Sequence, residues 1–155
     1  GIVLKIMIAA AGRFRTGPEK VLYQKYVDRL PWSLSLFEVD EKHIKDVKKR
    51  RHNEAQKFEK VIPRASTIIA LDETGVSLSS EGLAKKLAIW QDQGVRDLVF
   101  LIGGAAGHSP DSLKRADLVL SLGAMTWPHI LVRVMLAEQL YRASTLISGH
   151  PYHRA

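Results

Sequence analysis

Five short apolar runs, IVLKIMIAA, SLSLFEVD, STIIALD, LVFLI and DLVLSLG, alternate along the 155 residues with stretches whose apolar residues recur at helical spacing. The runs have the length and β-branched content of buried strands. Strands joined through helices pair in parallel with right-handed crossovers, which prescribes a three-layer α/β domain with helices on both faces of a sheet of five to six strands. A single domain over residues 1–155 fits this length, which suffices for one core and falls short of two. Ligands of such sheets sit beyond the carboxyl ends of the strands. The loops after Leu71, Ile102 and Leu122 are therefore the place to look for a site.

The intervening segments carry their own signals. In RTGPEKVLYQKYVDRL, Thr16 and Glu19 have capping-box spacing, Pro18 lies in the first turn, and Val21, Leu22, Tyr26, Val27 and Leu30 recur helically. The stretch from 42 to 60 places Ile44, Val47, Ala55 and Phe58 loosely on one face of a long helix, leaving the opposite face cationic. ETGVSLSS reads as a loop, and Leu83, Leu87 and Trp90 mark a helix that Gly94 can close. Ser109 and Pro110 match the N-cap and first turn of a short helix. AMTWP is a loop before the last helix, HILVRVMLAEQLYRASTLI, which Gly149 ends ahead of the tail HPYHRA. A helix apolar on nearly every side must be buried on several, by its own sheet and by any second subunit. His129, Arg133 and Arg142 interrupt that apolar surface. Each alone reads as readily as a snorkelling or ion-paired side chain.

The formal net charge is +7, and residues 42–60 hold eight Lys or Arg against three acids, so +5 of it lies in that one stretch. Such a segment suits phosphate-rich partners, although a solvated helix face explains it equally well. The absence of cysteine excludes disulfides, thiolate metal sites and a cysteine nucleophile. No apolar stretch approaches the roughly 20 residues that span a bilayer, and the first residues lack a basic flank and cleavage site; the expectation is a cytoplasmic protein with no membrane partner. IGGAAG is neither a Walker A loop nor a G-x-G-x-x-G fingerprint, and alone it is explained as well by a tight turn as by a ligand. There is no G-x-S-x-G elbow and no H-E-x-x-H pair, and His150 and His153 have no carboxylate nearby in sequence, so no metal site is expected.

The run from LIGG through SLGAMTWPHILVRVMLAEQLYRASTLISGHPYHRA resembles the RlmH family of SPOUT methyltransferases. The resemblance is strongest over residues 99–155 and rests on GG-x-x-G, S-L-x-x-M-T-x-P-H, E-Q-L-Y-R-A and the terminal P-Y-H-R, with LDETG at 71–75 in support. It implies an α/β fold with a C-terminal trefoil knot and a homodimer with active sites at the interface. It implies an S-adenosylmethionine-dependent enzyme that methylates N3 of a pseudouridine in a hairpin of 23S rRNA within the assembled ribosome, and no role on DNA. The family's cofactor contacts fall at Leu71, at Gly103 and along Leu122, Gly123, Ala124, Met125, Thr126 and Trp127, with Gly104 letting the chain pass close. His129, Arg142, Tyr152, His153 and Arg154 match the polar positions near the acceptor. Some relatives carry an acid inside the glycine loop; here Ala105 and Ala106 stand there.

Chemistry suggests roles for these positions. N3 of the base carries a proton between two carbonyls, so methylation requires loss of that proton and stabilisation of charge on the flanking oxygens. Arg154 and Arg142 are assigned to stabilisation, Tyr152 to stacking on the base, and His153 to accepting the proton, its ordinary pKa of about 6.5 suiting the task. Lys48, Lys49, Arg50 and Arg51 are the expected phosphate contacts, with Arg133 added from the last helix. The rival readings are a non-catalytic, ribosome-associated RNA-binding protein of the same fold and a methyltransferase of this fold acting on tRNA.

Overall fold

The computed structural model describes residues 3–154, with side chains as far as Tyr152. In chain order the elements are β1 (Lys5–Ala11), α1 (Pro18–Arg29), β2 (Ser33–Val39), α2 (Val47–Val61), β3 (Thr67–Ser77), α3 (Ser80–Asp92), β4 (Asp97–Ile102), α4 (Pro110–Arg115), β5 (Leu118–Ser121) and α5 (His129–Ser148), followed by a 3₁₀ turn at Pro151–Arg154. The five strands form one parallel sheet in the order β2-β1-β4-β3-β5.

Alternation along the strands builds two cores. Ile6, Ile8 and Ala10 of β1 face Tyr23 of α1, Leu83 and Leu87 of α3, and Leu136 and Leu140 of α5. Ala9 and Ala11 point the other way, with Val39, Ala70, Val99 and Leu101, onto Phe58 of α2 and Leu113 of α4. The helices that move the chain one way across the sheet, α1 and α3, thus lie on one face. Those that move it back, α2 and α4, lie on the other, as crossovers of a single hand require. The helix α5 joins the first face, against α1 and α3.

Three local expectations need correction. The capping box is not formed: α1 starts at Pro18, and its N-cap is Gly17 with no side-chain cap. The residue before a proline is kept out of the helical region, so the helix cannot begin as early as Thr16 requires. The basic helix starts at Val47 rather than at Lys42, because the Asp46 carboxylate accepts from the Lys49 amide at 2.9 Å and sets the cap there. Ile44 therefore lies outside the helix and Val47, in its first turn, is exposed, while Phe58 is buried and Ala55 partly so. The segment ETGVS is not a plain loop: β3 pairs with β5 on both sides of a bulge, where Leu71 and Val76 both oppose Leu120. Gly75 permits this, since a Cβ there would sit 2.5 Å from the Val119 carbonyl oxygen. The Ser109–Pro110 start of α4 and the closures by Gly94 and Gly149, both at positive φ, are as expected.

Candidate active site

The strands β4, β3 and β5 are neighbours, so their carboxyl ends bring three loops together. These loops enclose a cleft of about 660 Å³, bounded by Leu71, Asp72 and Glu73 after β3, by the stretch from Ile102 to His108 after β4, and by Leu122 to His129 after β5. Of the residues expected to hold the cofactor, Leu71, Gly103, Gly104, Leu122, Gly123, Met125, Thr126 and Trp127 all line it. Ala124 stands exposed in the same loop without lining it. The loop after β4 is wound tightly, so that a Cβ on Gly103 would meet the Gly107 carbonyl carbon at 2.9 Å. The loop after β5 turns at Gly123, where φ is +118°, and the Ser121 hydroxyl accepts from the Gly123 amide at 3.0 Å.

Three titratable cleft residues, Asp72, Glu73 and His108, escaped the sequence reading. Asp72 accepts from the Thr74 amide at 3.0 Å and from the Thr74 hydroxyl, which holds a carboxylate at the rim. The signal was its place directly after Leu71 at a strand end. His108 is largely enclosed, with Nε2 at 3.2 Å from the Leu101 carbonyl, and burial holds its pKa below the ordinary histidine value. Nothing in GHSP distinguished that imidazole from a surface one.

At the far wall, His129 opens α5 and is partly enclosed; burial and then the nearby Arg133 guanidinium hold its pKa down. Arg133 requires a correction. Expected among the RNA contacts, it is wholly inaccessible to solvent (0%) and cannot reach a phosphate in this conformation. It donates to the Glu38 carboxylate at 2.6 Å, to the Gly12 carbonyl at 2.6 Å and to the Ala11 carbonyl at 3.3 Å, and it lies 4.7 Å from the Phe14 ring centre. Glu38 also accepts from the Phe14 amide at 2.6 Å. This cluster pins the start of α5 to the ends of β1 and β2. It thereby fixes His129, which sits so close that a Cβ on Gly12 would be 2.9 Å from its Nε2.

The remaining acceptor-side residues lie elsewhere in the protomer. Arg142 is 13 residues beyond His129 on the same helix, roughly 20 Å away at 1.5 Å per residue. Glu138 accepts from Arg142 at 2.7 Å and from the Tyr152 phenol at 2.9 Å, which folds the tail back along α5. Neither Arg142 nor Tyr152 lines the cleft of its own chain. The side chains of His153 and Arg154 lie outside the described residues.

The basic helix divides in two. Lys48 and Lys49 are exposed. Arg50 donates to the Ile44 and Lys42 carbonyls at 2.7 and 3.2 Å, and Arg51 donates to the Ala106 carbonyl, so both shape backbone as well as adding charge.

Among solved structures, the chain is similar to a methylase family protein from Haemophilus influenzae, with TM-score 0.62 and 11% identity over 96% of this chain and 70% of that one. It is also similar to a methyltransferase from Legionella pneumophila solved with bound SAM, with TM-score 0.50 and 14% identity over 90% and 66% of the two chains. These likenesses concern the fold. The family described as "Predicted SPOUT methyltransferase" matches residues 4–153, which sets the class: a parallel α/β methyltransferase of the SPOUT type. Proteins named ribosomal RNA large subunit methyltransferase H match over 98% of this chain and 100% of their own length, at 45% identity in Rhodospirillum centenum and 48% in Allorhizobium ampelinum. The chain belongs to that family of methyltransferases.

Proposed function

We propose that this protein transfers the methyl group of S-adenosylmethionine to N3 of a pseudouridine in large-subunit rRNA of the assembled ribosome. The observation that carries this reading is the cleft at the ends of β3, β4 and β5, whose lining suits that cofactor. Leu71, Ile102, Leu122 and Trp127 offer apolar walls for an adenine, and backbone groups at Gly103 and Gly123 are open to it. Asp72 and Glu73 stand at the rim, where carboxylates favour a ligand bearing an ammonium and a sulfonium. Bound there, the cofactor supplies an electrophilic methyl group. The names of the family's members, which specify large-subunit ribosomal RNA, support the substrate class.

His129 stands in the cleft wall, and its lowered pKa keeps the imidazole neutral near pH 7, able to hydrogen-bond the acceptor base. Arg142, Tyr152, His153 and Arg154 complete the acceptor side from a second protomer: the roughly 20 Å of helix between His129 and Arg142 is bridged most directly by a partner's tail. Exposed Leu22, Leu131 and Ile147 on the α1 and α5 side supply apolar surface for that homodimer. The loop after β5 and the segment that follows it form the trefoil knot. Lys48 and Lys49 contribute phosphate contacts, and the site of action is the cytoplasm, where ribosomes are. No helix among the described residues is long and apolar enough to cross a membrane.

The deciding experiment is methyl transfer from labelled S-adenosylmethionine to ribosomes lacking the modification, with the full chain and with a chain ending at Gly149. Label in one pseudouridine with the full chain alone supports the reading and places the tail in the site. Tight ribosome binding without label from either chain favours a non-catalytic RNA-binding protein.

A further inference from the structure

Methyl transfer brings the acceptor atom within about 3–3.5 Å of the methyl carbon, so the space that receives the acceptor must open into the cofactor cleft. Two other clefts share a wall with it. One runs between α1, α3 and α5, meets the cofactor cleft at Leu122 and Gly123, and has no Lys or Arg in its lining. The other, of about 620 Å³, lies beyond the ends of β1 and β2 and meets the cofactor cleft at His129 and Ala105. It is a volume typical of small-molecule sites.

The second cleft has the electrostatic character that a polyanion needs at its mouth. Arg13, Arg15 and Lys42 are exposed there, with Glu19 the exposed acid among them. Its other acids are engaged or withdrawn. Asp40 lies 3.6 Å from Arg13 Nε and offsets part of that charge until a phosphate displaces it, and Glu41 is buried against Lys57. Glu54 is buried, and that burial raises its pKa above the ordinary carboxylate value. Arg50 is held inward by the Ile44 and Lys42 carbonyls.

We propose that the RNA strand carrying the acceptor enters through this second cleft, with Arg13 and Arg15 on the phosphates flanking the acceptor nucleotide and His129 in the shared wall beside the point where the base meets the methyl group. The inference rests on the methyl-transfer reading and adds a route to it: the strand crosses the β1–α1 loop, and the cleft on the other side, which Glu138 lines without any Lys or Arg, is left to protein contacts. Arg13 and Arg15 belong to no segment that the charge distribution singled out, because the basic stretch at 42–60 dominated it.

Two measurements on the full-length protein test this. In the first, single-turnover methylation is followed against ribosome concentration for wild type and for Arg13→Ala/Arg15→Ala, with S-adenosylmethionine affinity measured in parallel. The expected result is a ribosome affinity weaker by roughly tenfold or more, a salt dependence shallower by about one to two in log–log slope, and unchanged cofactor affinity. In the second, a photoreactive phenylalanine replaces Arg15 or, in the cleft without cations, Leu22. Crosslinks to rRNA within a few nucleotides of the methylated base are expected from position 15 and not from 22. Unchanged affinity and slope in the double variant, or rRNA crosslinks near the methylated base from 22 alone, overturn the inference while wild-type labelling leaves the methyl-transfer reading standing. A wild type that labels no ribosome overturns both.

Discussion

The Tyr152 phenol and the Arg142 guanidinium share one acceptor, Oε2 of Glu138, at 2.9 and 2.7 Å. Arg142 lies 5.1 Å from the centre of the Tyr152 ring, and that ring meets Tyr141 edge-on at 4.6 Å. One carboxylate thus sets the direction of both groups. Burial first, and then the Glu138 hydrogen bond, raise the Tyr152 pKa well above that of an ordinary tyrosine, so its phenol remains a donor at neutral pH.

Glu138→Gln should therefore loosen the tail without touching the cofactor cleft. The amide keeps the size of the carboxylate and loses the charge-assisted bonds. We expect single-turnover methylation to fall by roughly tenfold, about 1.4 kcal/mol, with S-adenosylmethionine affinity retained. Amide exchange at His150 and Tyr152 should rise in the same variant. Undiminished methylation with unchanged exchange would show that the Glu138 contacts are incidental.

Arg133→Ala leaves Glu38 without its buried partner and opens a void beneath His129. Removing one member of a buried pair costs about 3–5 kcal/mol, a loss that denaturant unfolding would register. Arg133→Lys should recover little, because a single ammonium cannot reach Glu38 and two carbonyls at once.

The two enclosed imidazoles give a pH dependence of definite sign. His108 and His129 both have lowered pKa values in the folded protein, so between those values and the ordinary value of about 6.5 the unfolded chain binds more protons. Their contribution to stability is complete above about pH 6.5 and declines as pH falls through that value towards the folded ones. Thermal unfolding from about pH 7.5 to about 5.5 should show the decline, and His108→Phe should flatten it. An equal slope in that variant would remove His108 from the account.

Gly103→Ala tests the cleft directly. The added Cβ meets the Gly107 backbone at 2.9 Å, so the loop after β4 must shift. Binding of S-adenosylmethionine should weaken by roughly tenfold or more while the circular dichroism of the fold persists. Tight binding by this variant would move the cofactor elsewhere.

The sheet, its two-sided helical cover and the three loops of the cleft were legible because they follow from local pattern: β-branched runs, helical spacing, and the rule that binding occurs at strand ends. Leu71, Gly103 and Leu122 were reached that way and again through the family resemblance. Arg133 was misread because its partner Glu38 lies 95 residues away and a charged residue on a helix is ordinarily solvated. The continuation of β3 past its bulge depends on pairing with β5, which ETGVS does not advertise. Glu138 and Arg142 have the spacing of a helical ion pair, but Tyr152 joins them only because the chain reverses at Gly149. The knot is an expectation from resemblance alone, and the homodimer one from resemblance together with the apolar surface of the last helix.

Arg133 grips the carbonyl of Gly12 across 121 residues of chain. During synthesis, β1 emerges long before α5, and a contact of such sequence separation forms late in folding. Until the last helix is free, His129 has no wall to stand in and the cleft no far side. In a protein proposed to modify ribosomes, the cleft thus takes its working shape only once α5 has been made, after every strand of the sheet.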